Sequence, residues 1–455
     1  MPVEKNKEYK VEIIDNGFEG EGIAKINDFT IFIPGTIKGE IVRILIVKVL
    51  SSYAYGKVLE IMEKSEDRQE ADCDTYKRCG GCDLRHIKYN KTLEMKQNMV
   101  QSLVNKTLKN NIVVKNTIGM EKPYYYRNKL IYPVGTDENG KIYAGIYANR
   151  THTIIKPKEC LIQDKESQEI VRTIEKILNK YNITAYDEKN KQGLIRNILI
   201  KKGFKTNDIL IVFILTKEVL PYEKEIVEEL KIKYKNIVSI VKNINSKNTN
   251  VVLGDRNINI FGNGFLYDYL EDFKFKISPN SFYQVNPVQA EVLYNIGVKE
   301  AGISNKDTVF DLYCGIGTIS LFMSKYAKKV YGVEIVKQAI EDAKINAKLN
   351  NIENVEFFAG DCEKVVDDLI NVKNIIPDIV MVDPPRKGLD NNTVNNLLKI
   401  ESKKIVYISC NPATMVRDLE KLEGKYEIKF IQPVDMFPFT KHVECVTVLY
   451  AKETL

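Results

Sequence analysis

Eight cysteines against three histidines and no tryptophan in 455 residues make thiols the first place to look for chemistry. Three of them crowd into Cys73-x5-Cys79-Gly-Gly-Cys82, and Cys160 lies far downstream. Four thiolates suit either zinc or an iron–sulfur cluster. Spacing alone leaves both open, although a zinc ribbon usually carries two C-x2-C pairs and only one is present. A fifth thiol, Cys410, ends the apolar run IVYISC and is followed by Asn411-Pro412. In an open α/β sheet, ligands bind outside the carboxyl ends of the strands, which makes Cys410 the candidate nucleophile. Cys314, Cys362 and Cys445 read as small buried residues.

The string Asp311-Leu-Tyr-Cys-Gly-Ile-Gly-Thr-Ile-Ser320 sits where a strand should turn into a helix. Gly315 and Gly317 permit a tight turn and close approach of a ligand to the backbone. Ser320 stands where a dinucleotide fingerprint needs its third glycine. Glu334 ends the next strand, roughly 20 residues on, and suits a ribose hydroxyl. Asp361 ends the third strand, where an adenine amino group could be met. Asp383 ends the fourth, in Asp-Pro-Pro-Arg. Together these features resemble the class I S-adenosylmethionine-dependent methyltransferases, and the resemblance implies that cofactor.

A methyltransferase needs a thiol only for a poor nucleophile. Ring and exocyclic nitrogens can attack a methyl sulfonium directly, whereas carbon-5 of uracil cannot. A thiolate adding to carbon-6 turns the ring into an enolate with negative charge on carbon-5. After methylation, a base must remove the carbon-5 proton before the cysteine can leave. The candidates lie in Phe437-Pro-Phe-Thr-Lys-His-Val-Glu-Cys445. Glu444 begins the last strand, and His442 shares its face if the segment is extended. By residue type alone, histidine is the better proton carrier.

The motifs SPNSFYQVN (278–286), DLYCGIGT, GVE, DPPRKG, SCNP and HVE occur in this order. As a set they resemble the bacterial RNA (uracil-5-)-methyltransferases over nearly the whole chain. The resemblance implies Cys410 as nucleophile and Glu444, rather than His442, as base. It assigns cofactor contacts to Gln284, Tyr313, Glu334 and Asp383, to which strand order adds Asp361. The N-terminal segment resembles a TRAM domain, which this family uses to hold RNA. The tRNA-specific branch lacks both that domain and the cysteine cluster, so their presence points to 23S ribosomal RNA. The same comparison implies a [4Fe–4S] cluster on Cys73, Cys79, Cys82 and Cys160, with a structural role. Competing readings are uracil-5 methylation of tRNA and a non-catalytic RNA-binding iron–sulfur protein. A cytosine-5 enzyme would carry Pro-Cys where Pro384-Pro385-Arg386 stands. An amino methyltransferase would leave Cys410 idle, and a radical enzyme would need C-x3-C-x2-C.

Three domains must position these groups. Residues 1–64 read as four or five short strands between glycines, an OB-like small β-barrel. Residues 65–277 read as a central α+β domain carrying the cysteines, with a helix over 88–110 placed to pack on the catalytic domain and another over 217–234. Residues 278–455 alternate strand and helix, as in a Rossmann-like α/β methyltransferase with a parallel, doubly wound sheet. Tyr124-Tyr-Tyr-Arg-Asn-Lys129 interleaves aromatics with cations, suited to stacking bases and meeting phosphates. Phe282 is a further stacking candidate.

Composition sets only outer bounds. Hydrophobic residues at 44% and charged ones at 28% exclude a disordered or collagen-like chain. No apolar run approaches the roughly 18 residues of a spanning helix, and MPVEKNKEYK has no signal-like core. A cytoplasmic monomer is the expectation. Sixty-seven Lys and Arg against 61 Asp and Glu give +6, which permits RNA without demanding it.

Overall fold

A computed structural model describes residues 2–452. The N-terminal strands alternate inward and outward residues, so that Val42, Ile44 and Ile46 are buried with Ile31 and Ile33. The ladder order is Glu8–Glu12, Ile41–Val49, Tyr53–Glu63, Phe29–Ile33, Gly22–Ile26 and Asp15–Asn16. Its two end strands follow one another in the chain, and the ladder does not close into a ring. The expected barrel is therefore a six-stranded sheet with two edges.

The central domain is built on a second six-stranded sheet, ordered Arg256–Gly262, Ile237–Ile244, Ile209–Leu215, Ile195–Lys202, Lys129–Thr136 and Ile142–Ala144. All seven residues of Ile209–Leu215 are buried, as an unbroken apolar run requires of a strand covered on both faces. Helices Lys165–Lys180 and Glu223–Lys233 supply one cover. The second helix begins later than 217 because Pro221 disfavours helical backbone in the residue before it. The other cover is shared with the catalytic domain: Leu210, Val212 and Ile214 pack with the hairpin Leu266–Leu270/Phe273–Ile277 and helix Pro287–Ala301.

The catalytic sheet runs Val355–Ala359, Lys329–Glu334, Thr308–Leu312, Ile379–Val382, Lys404–Ser409, Glu444–Ala451, Phe430–Val434 and Val113–Val114, with Tyr426–Ile428 also on Glu444–Ala451. The first five strands are parallel. Glu444–Ala451 is antiparallel to its neighbours, so the sheet is mixed rather than wholly parallel. Residues 435–443 return the chain without a helix, and a short connection of that kind joins only antiparallel strands. Helix Tyr89–Thr107 buries Val100 and Val104 against Tyr407, Met415 and Leu419. It is followed by Val113–Val114, which adds an edge strand to this sheet. Among the described residues, no helix is long and apolar enough to cross a membrane.

Candidate active site

Strand order sets the order of chemistry along the sheet's carboxyl edge. Asp361, Glu334, Tyr313, Asp383 and Cys410 follow the ends of five neighbouring parallel strands. The chain winds outward in both directions from Thr308–Leu312, which makes this edge a topological switch point.

The glycine loop is shaped for a ligand. Gly317 has φ of +81°, and a Cβ there would meet Phe357 Cζ at 2.9 Å, whereas a Cβ on Gly315 would enter open space. Tyr313, also left-handed at φ 70°, leads into the loop. Its amide and that of Cys314 donate to the Val333 carbonyl at 2.9 and 3.0 Å. Glu334 is fixed by amide donors, Gly315 N at 3.3 Å and Val336 N at 2.9 Å. Asp311 is fully buried; Ser320 Oγ donates to one carboxylate oxygen, and the other has no partner in the protein. Burial pushes its pKa up to about 7, Ser320 opposing. An open cradle, an oriented carboxylate and an unpaired buried acceptor fit an adenosyl cofactor. Asp361 is exposed and caps helix Cys362–Asp367 through the Lys364 amide at 3.4 Å, so one of its oxygens is already engaged.

The antiparallel register pairs Ser409 with Cys445. Cys410 follows directly on the end of its strand and Glu444 begins the facing one, close enough for the Glu444 charge to act on the thiol. Glu444 is 4% exposed. Burial, then the charge of Asp383, pushes its pKa up to about 8 against the pull of Arg386. Burial alone brings Asp383 to about 7. The Cys410 thiol is pushed up to about 11 by burial and then by Glu444 and Asp383, again with Arg386 opposing. His442 lies in the loop before the strand, its pKa lowered to about 4 by burial and then by Arg386 and Lys441. Cys410, Arg386, Lys441, His442 and, from the N-terminal domain, Phe18 and Glu19 line a cleft of about 170 Å³. Both base candidates thus lie beside the thiol.

Two residues at this centre escaped the sequence. Arg386 was legible only as part of Asp-Pro-Pro-Arg. Tyr294, on helix Pro287–Ala301 and 2% exposed, meets the side chains of Gln284 and Thr318 and lies in the field of Asp383 and Glu444. Nothing in its helical spacing distinguishes it from a core aromatic. Gln284 is itself buried, its carbonyl accepting from Asn128 Nδ2 at 3.1 Å.

The stretch expected to stack bases serves mainly as a brace. Tyr126 and Asn128 are buried, with Tyr126 OH donating to the Pro438 carbonyl at 3.1 Å. Tyr125 OH donates to Glu159 at 3.0 Å, and Lys165 covers its ring. Burial lowers the Lys129 pKa. Phe282, by contrast, is 69% exposed. Cys314 and Cys445 are buried as expected, while Cys362 is half-buried.

The other four thiols are half-buried neighbours. Burial, then the charges of Cys160 and Cys73, raises the Cys79 pKa. Cys82 is pushed up to about 12, by burial foremost and by Cys160 and Cys79 among its neighbours. Arg127 opposes the shift at Cys79, Cys82 and Cys160, and Arg85 opposes it at Cys82. Arg127 Nε and Arg85 Nη1 are buried donors with no partner in the protein. Among the described residues, no group of three or more His, Cys, Asp or Glu side chains is arranged to hold a metal ion, these four cysteines included.

Residues 88–452 match the family described as tRNA (Uracil-5-)-methyltransferase, and residues 2–59 match the TRAM domain. An uncharacterized RNA methyltransferase of Clostridium acetobutylicum is 47% identical over 453 residues, covering 99% of this chain and 98% of its own. One from Halalkalibacterium halodurans is 44% identical, again over 99% and 98%. The crystal structure of the Pyrococcus abyssi tRNA (uracil-54, C5)-methyltransferase in complex with S-adenosyl-L-homocysteine is similar with a TM-score of 0.76 and 25% identity, over 97% of this chain and all of that one. The first of these matches takes in most of the chain, and the chain belongs to the tRNA (uracil-5-)-methyltransferase family of S-adenosylmethionine-dependent RNA methyltransferases.

Proposed function

We propose that this protein methylates carbon-5 of a uridine in RNA through a covalent adduct on Cys410, with Glu444 as the base. The observation that carries this reading is the gathering of Cys410, Glu444 and Asp383 at the end of one ladder, where Ser409 pairs with Cys445 and the three groups feel one another's charge. Bound S-adenosylmethionine supplies the electrophilic methyl group; Gln284, Tyr313, Glu334 and Asp383 hold it, with Asp361 at the far strand. Exposed Phe282 is the proposed stacking partner for a base brought out of its helix, an extrusion costing on the order of a few kcal/mol that a loop nucleotide reduces. Arg386, which pulls the Cys410 pKa down, favours the thiolate that adds to carbon-6. Asp383 would hold the cofactor on the side of the site nearest Glu444. Glu444 then takes the carbon-5 proton, the double bond re-forms, and the Cys410 sulfur leaves. A carboxylate of pKa about 8 accepts a proton far better than an imidazole of pKa about 4, which supports Glu444 over His442. RNA carrying tritium at uridine carbon-5 tests the sequence of steps: the label enters water with turnover, and methylation without its release overturns the reading.

Glu444 acts deprotonated in adduct breakdown, so the single-turnover rate of that step rises with pH through the region of the Glu444 pKa, about 8. His442 is neutral above about 4 and gives no falling limb. A profile already flat from pH 6 would place the base elsewhere.

The finer target is 23S ribosomal RNA, supported by the cysteine cluster seen in sequence. A tRNA target is the second reading, favoured by the Pyrococcus abyssi enzyme, whose named substrate is tRNA and which matches 97% of this chain. That match removes the N-terminal domain as a discriminator. Methyl incorporation into 23S ribosomal RNA fragments, set against tRNA transcripts, decides between them.

Cys73, Cys79, Cys82 and Cys160 are the proposed ligands of a [4Fe–4S] cluster, with Arg127 and Arg85 balancing its negative charge. Anaerobically purified protein is expected to be brown, with about four iron per chain. Stoichiometric zinc would refute the assignment.

A further inference from the structure

The loop joining the last two long strands is held largely by donors from other parts of the chain. Lys96 Nζ and Tyr89 OH meet the two Asp435 oxygens at 2.5 and 2.8 Å. Asn286 Nδ2 and Gln289 Nε2 donate to the carbonyls of Met436 and Asp435 at 2.9 and 3.0 Å. The most constrained position is Phe439, buried and at φ of 62°. A bulky residue pays to sit in the left-handed region and persists there only when its surroundings over-determine it.

Those surroundings come from the cysteine segment. The amides of Asp83 and Leu84 both donate to the Phe439 carbonyl, at 3.1 and 3.0 Å. Arg85 lies over the Phe439 ring, 4.4 Å from its centroid, and Tyr89 and Tyr124 flank it at 5.3 and 5.6 Å. The Asp83 carboxylate also accepts from the Lys441 amide at 3.1 Å. Lys441, His442 and Val443 then form one wall of the Cys410 cleft and lead directly into Glu444.

We propose that Cys82–Arg85 is a positioning element for the proton-abstraction step, clamping the 437–443 loop so that Glu444 stays walled from water and aligned with the base on Cys410. The proposal rests on the uracil-5 reading. In the step concerned, the carbon-5 proton passes to the Glu444 carboxylate. The carbon–hydrogen electron pair forms the carbon-5–carbon-6 double bond, and the bond from carbon-6 to the Cys410 sulfur breaks to give the thiolate. Cys410 and Asp383 hang from Lys404–Ser409 and Ile379–Val382, held by the parallel ladder. Only Glu444 follows directly on the clamped loop. Loosening the clamp therefore slows adduct breakdown and spares addition and methyl transfer. It also gives the thiol cluster a catalytic consequence: whatever fixes Cys82 fixes the residue before the clamp.

Single-turnover experiments on the full chain separate the steps, with methyl transfer read as label in RNA and the adduct read on denaturing gels. Asp83→Ala is expected to transfer methyl within about twofold of the parent and to break down its adduct at least about tenfold more slowly. Asp83→Asn keeps an acceptor for the Lys441 amide and restores breakdown. Phe439→Leu, which removes the ring under Arg85 at similar volume, behaves like Asp83→Ala. Adduct breakdown at the parental rate, or equal slowing of both steps, overturns the clamp. Glu444→Gln run in parallel tells the failures apart. If it stalls while Asp83→Ala and Phe439→Leu do not, the clamp alone is wrong; if it does not stall, the base assignment falls and the clamp with it.

Discussion

Cys410→Ala is expected to reduce methyl transfer to RNA by at least about 10⁴-fold and to abolish the denaturation-resistant adduct with 5-fluorouridine RNA. The magnitude follows from the chemistry of carbon-5, which has no adequate nucleophilicity until a thiolate has added to carbon-6. Fluorine at carbon-5 cannot leave as a proton does, so the adduct persists and reports the bond directly. Cofactor binding should survive, because Gly315, Gly317 and Glu334 lie two and more strands away from Cys410. Cys314 and Cys362 sit nearer the cofactor loop, and their thiols are raised by burial foremost, Cys362 to about 12. Neither replaces Cys410. An adduct retained in Cys410→Ala would remove the nucleophile from the account.

Glu444→Gln should show the opposite signature. Thiolate addition and methyl transfer do not require the carboxylate, whereas adduct breakdown does. The variant should accumulate methylated RNA joined to protein, with release slowed by about 10²–10⁴-fold, the usual contribution of a positioned base. Glutamine preserves the size of the buried side chain and removes an ionisable group from beside Asp383, so the effect reads on proton transfer rather than on packing. His442→Asn should turn over near the parental rate. Adduct accumulation in His442→Asn, with free turnover in Glu444→Gln, would exchange the two roles.

How far the sequence carried each of these residues depends on how local its signal was. Cys410, Glu334 and Asp383 were legible because alternation of strand and helix marks strand ends, and strand ends converge on one edge. The choice between Glu444 and His442 was not local. It turned on where the last strand begins and on how deeply each group is buried, and both come from packing against Asp383 and Arg386. Tyr294 looked like any aromatic on a buried helix face. The stretch 124–129 misled because alternating aromatics and cations describe an inward brace as well as an RNA-facing strip; burial of Tyr126 and Asn128 distinguishes them. The antiparallel end of the catalytic sheet was hidden in the 435–443 connection, whose length excludes a crossover helix but which carries no strong turn signal. The hairpin 266–277 reads as part of the central domain by sequence order, yet its apolar residues fill the core shared with helix Pro287–Ala301. Helix Tyr89–Thr107 shows the same effect of chain order against packing.

The clamp at Phe439 has no sequence signature at all. It depends on a left-handed backbone at an aromatic residue and on two amides more than 350 positions away in the chain. These contacts join the thiol-rich segment to the loop leading into Glu444.

The central claim is the identity of the methylated atom. Incubation with S-adenosylmethionine carrying a trideuterated methyl group and with RNA, followed by digestion to nucleosides and mass spectrometry, reads it directly. The account predicts trideuterated 5-methyluridine, formed by the parent and absent with Cys410→Ala. Label on cytidine carbon-5, on a ring or exocyclic nitrogen, or on no nucleoside would contradict it.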